Sequence, residues 1–214
     1  MKVGVFGTGD VGKALGNAFH ALGHEVMMGS RDAGNDKAAA WASALGERAS
    51  TGTYADAAAF GELLVLATLG IANDEVLAAA GSGNLDRKVL IDATNPLDFS
   101  GGVPPRLAIS GNDSGGEQVQ RAAPGARVVK AFNTVGNAQM FRPDFPGGPP
   151  DMFFCGNDEA AKKTVAQILN EFGFTPRDVG GIESSRYLEA LCILWVIHGV
   201  RSGRWNHAFK LLTK

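Results

Sequence analysis

The apolar run Met1-Lys2-Val3-Gly4-Val5-Phe6 breaks directly into Gly7-Thr8-Gly9-Asp10-Val11-Gly12, and a helical pattern follows. In that pattern Val11, Ala14, Leu15, Ala18, Phe19 and Leu22 recur at helical spacing, and Gly23 closes it. Strand, glycine turn and helix in this order open a βαβ unit. Gly7 permits the sharp turn, Gly9 lets the backbone approach a diphosphate, and Gly12 lets the helix pack close on the strand. The amides that open the helix then face an anion, and the helix dipole adds to the attraction.

Strand and helix signals alternate along the rest of the chain, which predicts an α/β fold, Rossmann-like and doubly wound, with a mainly parallel sheet. Further strands are expected near 25–28, 49–53, 62–67, 88–92 and 127–132, with helical segments at 36–45, 54–60, 73–80 and 114–123 and a loop at 101–111. Residues 141–150 are rich in proline and glycine. Beyond them come a strand (152–155), a helix (158–171), a strand (175–179) and a helix (183–200). The expected organisation is a dinucleotide-binding domain at 1–140 and a smaller C-terminal α/β extension at 141–214 that completes the cleft. The last helix is apolar on most faces, as in a helix buried within its own chain or against a second copy, and a homodimer is expected.

A formal net charge of −2 implies neither a nucleic-acid nor an acidic-membrane surface. The most apolar stretch, 188–200, is too short to cross a bilayer and carries Glu189 and His198. Cys155 and Cys192 each stand alone in an apolar run, as reduced core thiols do, and residues 1–6 read as the first strand rather than a leader. The expectation is a cytoplasmic protein. No His/Cys cluster has metal-ligand spacing, so no metal is expected.

The identity of the dinucleotide turns on the second strand. An acid that bonds the adenosine ribose ordinarily lies about 20 residues beyond the glycine turn. Counting from Gly9 reaches Gly29, followed by Ser30 and Arg31. A carboxylate there would repel a 2′-phosphate, whereas a guanidinium pairs with it as a fork. The cofactor expected is therefore NADP(H), with Lys37 as a second charge and Asp32 as a possible acceptor for a ribose hydroxyl. In open α/β sheets ligands lie at the carboxyl ends of the strands. Ala67-Thr68-Leu69, Asn95-Pro96-Leu97 and the Ala131–Asn133 stretch sit at three such ends. They offer small or amide groups where a charge would hinder a neutral ring, and either asparagine could bond ribose or carboxamide.

Taken together, Gly7 to Gly12, Gly29-Ser30-Arg31, Asp92-Ala93-Thr94-Asn95-Pro96-Leu97 and Lys130-Ala131-Phe132-Asn133-Thr134 resemble the F420-dependent NADP oxidoreductase family. That family includes archaeal enzymes, bacterial relatives and the reductase domain of the six-transmembrane metalloreductases. The resemblance implies NADP(H) in the glycine turn, Ser30 and Arg31 on the 2′-phosphate, and nicotinamide near Asn95-Pro96-Leu97 and Ala131 to Asn133. It also implies a second planar redox partner, F420 or a flavin, as co-substrate. Residues 135–140 depart from the archaeal pattern.

Hydride transfer between two such rings needs stacking and exclusion of water more than side-chain acid–base help. The catalytic residues are accordingly unassigned. Neither Tyr54 nor Tyr187 has a lysine four residues on, which argues against a tyrosine–lysine carbonyl reductase. Two alternatives stay open. One is a reductase of a small imine or carbonyl, with His198 or Lys130 as first candidates for its proton donor. The other is a non-catalytic NADPH sensor.

Overall fold

The computed structural model describes residues 1–213. Its strands are β1 (Lys2–Phe6), β2 (Glu25–Ser30), β3 (Ala49–Thr53), β4 (Leu63–Leu66), β5 (Val89–Asp92), β6 (Leu97–Asp98), β7 (Arg106–Leu107), β8 (Arg127–Lys130), β9 (Asp151–Gly156) and β10 (Thr175–Asp178). Its helices are α1 (Asp10–Ala21), α2 (Asp36–Leu45), α3 (Tyr54–Phe60), α4 (Asn73–Ala80), α5 (Ser82–Leu85), α6 (Gly115–Ala122), α7 (Glu159–Glu171) and α8 (Ser185–Ser202). Eight strands form one sheet in the order β10-β9-β8-β5-β4-β1-β2-β3. All its pairings are parallel except β8 with β9. The fold is Rossmann-like, with β9 and β10 of the C-terminal extension joined to the same sheet.

Alternation along the strands explains the two layers of core. Val3, Val5, Leu63, Val65, Ile91 and Val129 face the side covered by Leu15, Phe19, Trp41, Val165 and Phe172. Phe6, Leu64, Leu66, Leu90 and Val128 face the side covered by Tyr54, Ala57, Val76, Leu77, Val119 and Leu188. Strands buried on both faces read as continuous apolar runs, which is why β4 appears in the sequence as an unbroken Leu-Leu-Val-Leu. The helices start where side chains take the first free amides. Asn35, Thr53, Ser114 and Asp158 cap α2, α3, α6 and α7 in this way.

Three local differences from the sequence reading have physical causes. Strand β8 stops at Lys130 because Phe132 adopts a left-handed φ of 64°. A bulky residue holds that conformation only when its surroundings dictate it, and here the Phe132 ring packs on Phe172 and Phe174 at 5.5 and 6.0 Å. The segment read as loop, 101–111, holds β7, which pairs antiparallel with β6 just before that segment, Leu97 opposite Leu107. Two-residue strands give no periodicity to read. Finally, β2 runs on to Ser30. A Cβ on Gly29 would stand 2.8 Å from Ala57 Cβ, so residue 29 faces α3 and could not carry an acid toward a ligand. The strand-end position is Ser30.

Candidate functional site

The chain adds β2 and β3 on one side of β1, then crosses to lay β4 on the other, so strand order reverses between β1 and β4. This reversal is where such sheets take ligands, and the glycine turn opens onto it. Gly7 has φ of 121° and lies so close to β4 that a Cβ would stand 2.5 Å from the Ala67 carbonyl oxygen. A Cβ on Gly12 would come within 2.1 Å of the Gly7 carbonyl oxygen, so α1 can start only over a glycine. Gly9, by contrast, has open space where its Cβ would be, and no side chain caps α1. These are the features of a cradle for a diphosphate: an approachable backbone and a helix start whose amides are left for an anion.

Two cavities meet there. The first, of about 690 Å³, is lined by Gly7, Thr8, Gly9, Asp10, Val11, Arg31, Ala67, Thr68 and Leu69, with a far wall of Tyr54, Ala72, Val76 and Ala79. Arg31 is exposed at its edge and makes no ion pair among the described residues. The Asp32 carboxylate accepts from the Gly34 amide at 2.9 Å and is absent from the cavity wall. Burial pushes the Tyr54 hydroxyl above its usual range, against the opposing pull of Arg31 nearby.

The second cavity, of about 500 Å³, shares Val11, Ala67, Thr68 and Leu69 with the first and continues to Thr94, Asn95, Leu97, Asp98 and Phe99. Its rim is apolar, with Leu69, Ile71 and Phe99 exposed at 74, 65 and 57%. Its charged member is Asp98. The amide and hydroxyl of Ser100 hold the Asp98 carboxyl below the usual range, with Arg106 adding to the effect.

Several residues selected from the sequence lie elsewhere. Lys37 borders a separate hollow with Lys13 and Trp41, because it stands on the first turn of α2 beyond the Arg31 loop. Ser30 is buried and its hydroxyl donates to the Asp32 carbonyl. Pro96 packs under the start of α6, where a Cβ on Gly115 would meet its ring at 3.2 Å. Ala131 is fully buried behind the strand end. Asn133 is 3% exposed, and its amide donates to Asn95 Oδ1 and the Leu188 carbonyl, both at 3.0 Å. Asn95 Nδ2 returns a bond to the Asn133 carbonyl at 2.9 Å. This pair clamps the β5 and β8 loops to α8. The sequence reading does not select Tyr54, Ala72, Glu75, Val76 and Ala79 of the first cavity or Ile71, Asp98, Phe99 and Ala108 of the second. Tyr54 could have been found, since it directly follows β3 at a strand end.

Neither proposed proton donor suits that role. Exposed His198 packs its ring against His207, 4.5 Å away on the C-terminal tail, and lines neither cavity. Lys130 is fully buried between Asp92 Oδ2 at 2.9 Å and Glu189 Oε1 at 2.6 Å. Burial alone would pull its pKa down, but the two carboxylates outweigh burial and hold it above the usual lysine value. The thiols are free, and burial pushes Cys155 up to about 11 and Cys192 to about 12. Among the described residues no group of three or more His, Cys, Asp or Glu could hold a metal ion. No described helix is long and apolar enough to cross a membrane.

Fold and cleft together define a Rossmann-like protein with a dinucleotide-type glycine turn at the strand-order switch. The chain belongs to the F420-dependent NADP oxidoreductase family. Residues 2–96 match the family described as NADP oxidoreductase, coenzyme F420-dependent. The F420-dependent NADP reductase of Methanothermobacter thermautotrophicus is 31% identical, over 99% of this chain and 94% of its own length. A crystal structure from Arthrobacter sp. FB24, described as a candidate F420-dependent NADP-reductase, is 40% identical and superposes with a TM-score of 0.93 over the whole of both chains. The rat metalloreductase STEAP3 is 28% identical over 89% of this chain, which spans 36% of that protein's length.

Proposed function

We propose that this chain is an NADP(H)-dependent oxidoreductase that moves hydride between NADPH and a planar flavin-type or deazaflavin (F420) acceptor. The reading rests above all on a single cleft that runs from the glycine turn, past the exposed Arg31 guanidinium, into a second apolar cavity. Bound NADPH supplies the hydride. The chain's own part is to bind and orient. The first-turn amides of α1 take the diphosphate, Arg31 takes the 2′-phosphate, and Tyr54, Val76 and Ala79 wall the adenine. Leu69, Ile71, Leu97 and Phe99 keep water from the reacting rings, whose exchange needs no side-chain acid.

Asp98 favours a second reading, an imine reductase. A carboxylate held in its charged form beside the acceptor cavity would suit a cationic iminium. Mixing the protein with NADPH and, in separate arms, F420, FMN or a panel of imines and ketones distinguishes the readings by loss of NADPH absorbance. Oxidation with F420 or FMN is the expected result. Oxidation confined to the imines and ketones replaces the first reading with the second, and binding without turnover under every acceptor leaves the sensor.

The proposal extends to a homodimer through the outer side of α8, where Tyr187 and Leu194 are 75 and 55% exposed. Sedimentation at micromolar concentration should give a dimer, and a monomer there removes this part of the proposal.

A further inference from the structure

A chain of hydrogen bonds runs from the buried ions of the sheet to the junction of the two cavities, and its chemistry allows one direction only. Glu189 accepts from the Gly115 and Gly116 amides at 2.9 and 3.0 Å and pairs with Lys130, which pairs in turn with Asp92. Asp92 Oδ1 accepts from the Thr94 amide at 2.9 Å and stands 2.7 Å from the Thr94 hydroxyl. A carboxylate paired with an ammonium has no proton to give, so the single hydroxyl hydrogen of Thr94 is committed to it. Thr94 Oγ1 must then act as acceptor toward Asn73, whose amide nitrogen stands 2.8 Å away. That fixes the Asn73 amide and turns its oxygen toward Thr68, at 3.0 Å. An amide oxygen only accepts, so the Thr68 hydroxyl hydrogen is committed as well.

What Thr68 has left is lone pairs. It is partly exposed and lines both cavities. We propose that Thr68 is a selective acceptor at the cavity junction, which takes a hydrogen bond from an O–H or N–H donor on the nicotinamide riboside half of the dinucleotide. Asn73, Thr94 and Asp92 are the positioning residues that hold it in that state. An oxygen so committed repels phosphate and carbonyl oxygens, so the diphosphate stays on the glycine turn and the donor-bearing half of the ligand lies across Thr68. The donor is either a ribose hydroxyl or the carboxamide NH2. The inference rests on the NADP(H) reading above.

Calorimetric titration with three ligands tests it: NADP+, 2′-phospho-ADP-ribose, which lacks the nicotinamide ring, and 2′,5′-ADP, which lacks the nicotinamide riboside together with the phosphate that carries it. Thr68→Val keeps the shape and removes the acceptor, and should bind NADP+ roughly five- to tenfold more weakly. Thr68→Ser should stay within about twofold of wild type, since its hydroxyl restores the bond. Thr94→Val frees the Asn73 amide to turn over and should reproduce part of the loss. Affinity for 2′,5′-ADP should be unchanged in all three variants, which a merely structural effect would not allow. A loss shared by 2′-phospho-ADP-ribose assigns the donor to the ribose, and a loss confined to NADP+ assigns it to the carboxamide. The inference is overturned if Thr68→Val binds NADP+ like wild type, if Thr68→Ser falls as far as Thr68→Val, if 2′,5′-ADP weakens equally, or if Thr94→Val has no effect. Wild-type protein that binds none of the three ligands overturns the NADP(H) reading instead.

Discussion

Replacing Lys130 with methionine should destabilise the protein by about 3–5 kcal/mol, the usual cost of removing one member of a buried ion cluster. The side chains of Lys130, Asp92 and Glu189 are all 0% exposed. Without the ammonium, both buried carboxylates lose their ion-pair partner. Urea denaturation reads the effect as a lower midpoint with the same slope. The triple variant Asp92→Asn, Lys130→Met, Glu189→Gln should recover part of the loss, because it leaves no unpaired charge. A single variant within about 1 kcal/mol of wild type would mean that the cluster is not what holds these elements.

The pH dependence follows from the direction of the Lys130 shift. Its folded pKa is raised by Asp92 and Glu189 in spite of burial. Its contribution is therefore complete below the unfolded lysine value of about 10.4 and is lost as pH rises through the higher folded value.

Changing Arg31 to alanine should raise the NADPH Michaelis constant roughly ten- to hundredfold while leaving that for NADH within about twofold, as expected for loss of a charge-assisted bond to a phosphate. Arg31 lies at the edge of the first cavity. No residue 29 side chain could compete with it, since that position is closed by Ala57. Arg31→Lys should restore only part of the preference, because an ammonium lacks the planar fork. Steady-state rates with both nucleotides decide it, and an equal loss with each would remove Arg31 from the 2′-phosphate.

Much of this architecture is written locally in the chain. The turn from β1 to α1 is legible because Gly7 and Gly12 each answer a steric demand within a few residues, while Gly9 between them leaves the backbone open. The central parallel strands are legible because burial on both faces leaves short apolar runs, as in β4. What spans long separations is not. Glu189 reads as a charge that interrupts an apolar helix, yet it faces Lys130 across 59 positions and holds the α6 amides. Nothing in local periodicity announces such a partner. The same holds for β9, whose antiparallel join to β8 no short pattern encodes. Asn133 reads as a ligand residue from its strand-end position, and only the folded arrangement of three loops engages its amide nitrogen with Asn95 and Leu188, while its buried Oδ1 has no partner among the described residues. The direction of the Thr68 hydroxyl emerges later still, once four elements have met.

The place of Glu189 on α8 also bears on how the polypeptide matures during synthesis. Lys130 and Asp92 leave the ribosome well before Glu189 does. Until α8 arrives, the lysine has one of its two carboxylate partners, and the α6 amides lack their carboxylate. Docking of this late helix therefore supplies both the second carboxylate for Lys130 and the acceptor for the first amides of α6.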